Sequence, residues 1–270
     1  MSNLSILILC GSSARHLYVA NALCKAGKPI AIVQETGAQW SLAKVFKLLK
    51  PTKLYRKVWR WLRDRKRYTG NKEDEFFFGD QEARLDRPDL VINTPHINHP
   101  DVVRLAEKTQ PDVIAVFGTS LIKGPLLKMG KYGIVNLHGG LSPHYRGADC
   151  TFWALYNGEP DQVGCTLHFI NEGIDTGKLI SHISPEIKAT DDELTLFWRA
   201  VRDSANVYAT LMEYFEQDEP LGQKQQEKGT LYQVKDRSWK HEKELEKKLH
   251  DGLLEQNETP SRIHWFKPKN

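Results

Sequence analysis

Apolar residues run without a break from Leu4 to Cys10. An unbroken run that short predicts a strand buried on both faces. It lacks a basic leader and a following cleavage pattern, so it reads as a first strand and not as a signal peptide. Gly11-Ser12-Ser13 interrupts it, and Leu17, Ala20 and Leu23 then recur at helical spacing over Ala14 to Lys25, with Gly27 as a stop. Pro29 to Gln34 predicts a second strand. Between Glu35 and Asp89 the pattern is irregular; it holds a basic amphipathic helix broken by Pro51 and the cluster Phe76-Phe77-Phe78.

Alternation returns with a helix over His99 to Thr109, a strand over Asp112 to Gly118, a short helix over Leu126 to Met129 and a strand over Gly133 to His138. Gly147 to Tyr156 reads as a helix, and Val163 to Ile170 and Lys178 to Ile183 as strands, partly antiparallel. Over Asp192 to Gln217, Leu194, Phe197, Val201, Tyr208, Leu211 and Phe215 keep one helical face apolar, with Thr190 as the expected N-cap. After Pro220 the chain turns polar: a strand at Thr230 to Gln233, a charged helix from His241 to Leu254, and a loose tail from Glu255.

Strand-helix alternation of this kind predicts an α/β fold, a Rossmann-like, mostly parallel sheet with helices on both faces and a short C-terminal appendage. The expected division is a domain over 1–220, carrying a basic insertion at about 40–86, followed by the appendage over 221–270. In such sheets the site lies beyond the carboxyl ends of the strands. That directs attention to Gly11-Ser12-Ser13, Gly118-Thr119-Ser120 and Asn136 to Arg146.

Composition narrows the function classes. The 270 residues are 40% hydrophobic, with a mean hydropathy of −0.51. No apolar run approaches the roughly 20 residues of a membrane span. Cys10, Cys24, Cys150 and Cys165 form no C-x-x-C pair, so no zinc or redox motif is read and buried thiols in a reducing cytoplasm are expected. A net charge of +4 does not point to nucleic acid. The charge is uneven, however: Lys44 to Arg67 carries eleven Lys and Arg, with Asp64 as its one acid.

Candidate chemistry is densest at Val135-Asn136-Leu137-His138-Gly139-Gly140. Asn136 and His138 alternate along a strand, so their side chains leave the same face. Gly139-Gly140 lets the backbone turn tightly and a ligand approach. In the stretch His168 to Gly177, Asp175 stands in a loop between Gly173 and Gly177 and can oppose that pair. An amide, an imidazole and a carboxylate suit acyl transfer to an amine. The amide and imidazole donate to an oxyanion, and imidazole or carboxylate relays protons. Residue by residue, a turn Asn, a core His and a turn Asp are the commoner readings.

The combination Asn136-x-His138, Leu141-x-Pro143-x-Tyr145-Arg146-Gly147 and Ile174-Asp175-Thr176-Gly177 resembles the folate-dependent formyltransferases. The resemblance covers Asp112 to Ser184 well and Leu4 to Gln34 loosely. It implies a Rossmann-like fold, an Asn136, His138, Asp175 catalytic triad and 10-formyltetrahydrofolate as donor. It also implies a donor pocket built from Gly118, Thr119, Ser120, Leu121 and Ile122 and from the backbone of Asn171, Gly173 and Ile174. The chain departs from that family in three places. Gly139-Gly140 and Ser142 replace the usual Pro-Ser and Leu. The segment from about Trp40 to Asp86 has no recognised counterpart. No barrel-like tRNA-holding domain is visible after Gly222.

The last departure argues against tRNA, and the long insertion against glycinamide ribonucleotide, although Gly11, Ser12 and Ser13 could seat a phosphate. A nucleotide-linked amino sugar from a polysaccharide pathway is the better fit, with Tyr145 and Arg146 on the acceptor. Arg146, Lys123 and the basic helix are candidate cations for its diphosphate. The basic helix itself has three readings: a packed surface helix, peripheral contact with anionic lipid through Lys44 to Arg67, or phosphate binding. Tyr232, Trp239, Trp265 and Phe266 mark core packing, a small subdomain or a homodimer contact. The rival functions are hydrolysis of the formyl-folate, a binding module without catalysis, and a dinucleotide oxidoreductase. Gly11-Ser12-Ser13 lacks the spaced glycines that the last would need.

Overall fold

The computed structural model describes residues 2–37, 51–67 and 69–268. Its strands are β1 (Ser5–Cys10), β2 (Lys28–Glu35), β3 (Val91–Thr94), β4 (Val113–Phe117), β5 (Ile134–His138), β6 (Tyr145–Gly147), β7 (Cys165–Phe169), β8 (Leu179–Ser184), β9 (Thr230–Tyr232) and β10 (Arg262–Trp265). The helices are α1 (Ala14–Ala26), α2 (Pro51–Arg67), α3 (Lys72–Phe78), α4 (Pro100–Thr109), α5 (Cys150–Tyr156), α6 (Glu193–Glu216) and α7 (Trp239–His250). The main sheet has the order β10-β8-β7-β5-β4-β1-β2-β3. From β3 to β5 the neighbours are parallel; β7, β8 and β10 join antiparallel.

The fold is the expected α/β, Rossmann-like, mostly parallel sheet, and β1 shows why its run has no polar break. Ile6, Ile8 and Cys10 enter the core under α1 and α6, while Leu7 and Leu9 enter the core under α4. A strand covered on both faces alternates between two apolar layers instead of between core and water. Because β1 has β4 on one side and β2 on the other, chain order reverses there, and a crevice opens at the carboxyl ends.

Several elements differ from the expectation. Phe76 to Phe78 end a helix, α3, with Phe77 buried. The expected helix at Leu126 to Met129 is a 3-10 turn over Gly124–Lys128. The helix expected from Gly147 starts at Cys150, because Tyr145–Gly147 is drawn out as β6 to pair with β9. The cap of α6 is Asp192, not Thr190. Its carboxylate accepts from the Thr195 amide at 2.7 Å while the Thr195 hydroxyl accepts from the Asp192 amide at 2.8 Å. The tail is not loose: the Ile187 and Thr259 amides and carbonyls bond each other, and β10 adds an antiparallel edge to β8. β3 was not expected at all; it pairs with β2 at the opposite edge.

Trp40 and Lys44 to Lys50 of the basic segment lie outside the described residues. Pro51 opens α2. Of the C-terminal aromatics, Tyr232 stacks on Trp153, Trp265 stacks on Tyr214, and Phe266 meets His182 edge-on. Trp239 is exposed. Among the described residues no helix is long and apolar enough to cross a membrane.

Candidate active site

Asn136 and His138 stand at the carboxyl end of β5, on the face that leaves Leu137 to the core. Across from them, the loop after β7 carries Asp175 in the left-handed region at φ 51°. The loop is tied down there: the Asp175 and Gly177 carbonyls accept from Gln225 at 2.9 and 2.7 Å. The Asp175 carboxylate accepts from the Gly147 amide at 2.8 Å. Its Oδ2 lies 3.5 Å from His138 Nδ1, and its Oδ1 lies 3.5 Å from His168 Nε2.

His168 was not singled out from the sequence. It pairs with Asn136 across the antiparallel ladder, and its Nε2 lies 3.1 Å from Asn136 Nδ2. Its Nδ1 lies 2.8 Å from the Phe169 carbonyl. Its Nε2 thus stands between the Asn136 amide and the Asp175 carboxylate and holds both side chains in place. The available signal was positional: His168 follows Thr166 by two, on the face of β7 opposite Cys165 and Leu167.

His138 Nε2 lies 3.0 Å from the Tyr145 carbonyl and 3.6 Å from Cys150 Sγ. Burial lowers its pKa below the ordinary imidazole value, against the opposing pull of Asp175. Burial also pushes Asp175 up. The hydrogen bond with His168 and the positive charge available on both imidazoles outweigh it, so its carboxyl falls to about 2. The Cys150 thiol is pushed well up by burial. Gly140 serves this packing and not ligand approach: a Cβ there would stand 2.5 Å from the Cys150 Cβ and 2.8 Å from His138 Nε2.

All three expected catalytic residues line one cleft of about 640 Å³. So do Gly118 to Ile122, Asn171, Gly173 and Ile174. Two side chains that sequence reasoning passed over fasten the first of these loops. Glu35 accepts from the Ser120 amide at 2.6 Å, and Asn98 bonds the Leu121 carbonyl and the Lys123 amide at 2.8 and 2.7 Å. Of the expected acceptor residues, Gly11, Ser12 and Ser13 lie at the neighbouring end of β1, leading into α1. Tyr145 is buried, with its hydroxyl bonded to Glu159 and Asn157. Arg146 donates to the Ile174 and Gly229 carbonyls, so it fastens the Asp175 loop to the C-terminal segment.

Residues 78–211 match the formyl transferase family. That segment carries the family's domain. Relatives within it include a methionyl-tRNA formyltransferase of Pelotomaculum thermopropionicum, 39% identical over 118 residues, which cover 43% of this chain and 37% of the relative. A GDP-perosamine N-formyltransferase of Brucella melitensis is 33% identical over 113 residues, 42% of this chain and 43% of the relative. The chain thus spans about half or less of the length of the curated relatives it matches. Two solved family structures share the fold. A sugar N-formyltransferase from a Shewanella species has a TM-score of 0.58 at 15% identity, covering 90% of this chain and 86% of its own. A glycinamide ribonucleotide transformylase from Symbiobacterium toebii has a TM-score of 0.53 at 19% identity, covering 85% and 95%.

Proposed function

We propose that the chain transfers a formyl group from 10-formyltetrahydrofolate to a primary amine of a nucleotide-linked amino sugar, using Asn136, His138 and Asp175. The observation that carries the reading is one ionised carboxylate, Asp175, reaching His138 and also the His168 that orients Asn136. The donor's pocket is the cleft they line. Its walls combine the apolar Leu121, Ile122 and Ile170 with the backbone of two loops, a mix that suits a flat ring with polar edges. Support for the sugar comes from the Brucella relative, whose named substrate is a nucleotide sugar.

The donor supplies a formyl carbon already bound to a nitrogen leaving group. The Asn136 amide donates to the formyl oxygen as it gains negative charge. Neutral His138, with its Nε2 proton on the Tyr145 carbonyl, keeps Nδ1 free toward Asp175. Nδ1 takes the proton that the amine sheds as its bond to carbon forms, and Asp175 stabilises the imidazolium. That proton then goes to the departing nitrogen as its bond to carbon breaks, so the residues end as they began.

The test is an assay of the purified protein with 10-formyltetrahydrofolate and a panel of amines. The panel holds nucleotide-linked 3-amino and 4-amino deoxysugars, glycinamide ribonucleotide and a water-only control. Tetrahydrofolate release with an amino sugar, a product heavier by one formyl group, and loss of both in Asn136→Ala are expected. Release with glycinamide ribonucleotide alone would sink the sugar assignment. Release in water alone would make the chain a hydrolase.

A further inference from the structure

α2 is mounted with its polar side inward. Arg63 and Arg67 face the body: Arg63 pairs with Glu242 at 3.7 Å, Arg67 pairs with Glu193 at 2.9 Å, and the two arginines are 13% and 17% exposed. The Arg63 guanidinium also lies over the Trp59 ring. The opposite face carries Leu54, Val58, Trp61 and Leu62, spaced i, i+4, i+7 and i+8, together with Tyr55. Those five are between 47% and 62% exposed. A helix that only covers the core turns its apolar stripe inward. A helix that holds on by arginines and offers leucine, valine, tyrosine and tryptophan to the outside is built to bury that face against something else.

We propose that this face docks on an anionic lipid surface. The charge pattern selects that partner. Exposed Lys57 and Arg65 flank the apolar stripe, with the Arg65 guanidinium 5.3 Å from the Trp61 ring centre. Apolar and aromatic side chains flanked by cations suit the boundary between acyl chains and negative headgroups. A second copy of the same face would set Lys57 and Arg65 against like charges, which disfavours self-pairing. Arg63 and Arg67, which face the body, are already paired with acids, so docking uses Lys57 and Arg65 and leaves that inner attachment in place.

The experiment is flotation of the full chain with vesicles of phosphatidylcholine alone and of an equal mixture with phosphatidylglycerol. Binding to the mixed vesicles only is expected, weakening at about 1 M salt, where the screening length falls to about 3 Å. Lys57→Glu with Arg65→Glu should lower the partition by about fivefold for each cation removed. Trp61→Ser with Leu62→Ser should reduce it to the level of phosphatidylcholine vesicles, with the thermal midpoint unchanged because these side chains are exposed. Absence of binding to mixed vesicles, or binding that neither pair of substitutions alters, would overturn the proposal. So would a concentration-dependent rise in solution mass, abolished by Trp61→Ser with Leu62→Ser and without vesicle binding, since it would assign the face to a second copy.

Discussion

Asp175 holds one negative charge between two imidazoles, and that placement makes a signed prediction. Its carboxyl titrates at about 2, so it stays ionised throughout the working pH range. On the proposed mechanism the acid limb of the rate profile belongs to His138, whose pKa burial holds below the ordinary value near 6.5. Activity should rise as pH rises through that value, and no carboxylate limb should appear above pH about 4. Asp175→Asn removes the charge that lifts His138, so its acid limb should move to lower pH while kcat falls on the order of 100-fold or more. A kcat/KM profile of the two proteins checks this, and an unmoved limb would mean that the two groups are not coupled. Strand alternation and loop glycines, which are local signals, brought Asn136, His138 and Asp175 forward as candidates, and the structure sets them in one cleft; their catalytic role came with the family resemblance. His168, Glu35 and Asn98 were not, because each acts across a ladder or between loops far apart in sequence. Tyr145 and Arg146 sat in a legible motif, yet their side-chain partners, Glu159 and the Gly229 carbonyl, could not be read from it.

At the scale of elements, the crevice depends on a side chain from behind the sheet. Tyr208 on α6 is fully buried, and its hydroxyl accepts from the Val116 amide at 3.0 Å and donates to the Val135 carbonyl at 2.7 Å. It thus bridges β4 and β5 one residue before Asn136. Tyr208→Phe removes both bonds and strands a buried amide and a buried carbonyl, each at about 1–3 kcal/mol. A loss of roughly 2–4 kcal/mol in urea unfolding is expected, with a lower kcat because Asn136 is the next residue on β5. A stability change below about 0.5 kcal/mol would show that the strands close and replace the hydroxyl. The apolar stripe of α6 was plain in the sequence, but Tyr208 counted there as one more core residue. Its polar end became visible only with two strands in place. The same reason explains the tail: a strand such as β10 is polar on its outer side and gains its form from β8, not from its own pattern.

For the whole molecule, the buried imidazoles set how stability responds to acid. Burial is the largest cause that lowers His16 to about 3 and His182 to about 4. His16 sits beneath the crevice: a Cβ on Gly118, at φ 73°, would collide with its Nε2. Its Nδ1 accepts from the Ser13 amide, and His182 donates to the Ser142 carbonyl. Both serve the fold in the neutral form. In the unfolded chain each imidazole takes a proton below about pH 6.5, whereas the folded one does so only below its lowered value, so the unfolded state binds more protons in that window. Stability is therefore full above pH about 6.5 and falls as pH drops toward 4, by roughly 2–3 kcal/mol for each such group between pH 6.5 and 4.5. Asp175 responds with the same sign in a lower range: its lowered pKa adds stability above about pH 4 and withdraws it as pH falls toward 2. Acid weakening above pH 4 should thus come from histidine and not from this carboxylate. Urea unfolding of the parent and of His16→Gln, which keeps an acceptor for the Ser13 amide but has no proton to gain, separates the two. The variant should lose the His16 share of the slope between pH 6.5 and 4.5, with the rest left to His182 and His138. An identical slope would move the acid sensitivity from the crevice to other groups in the fold.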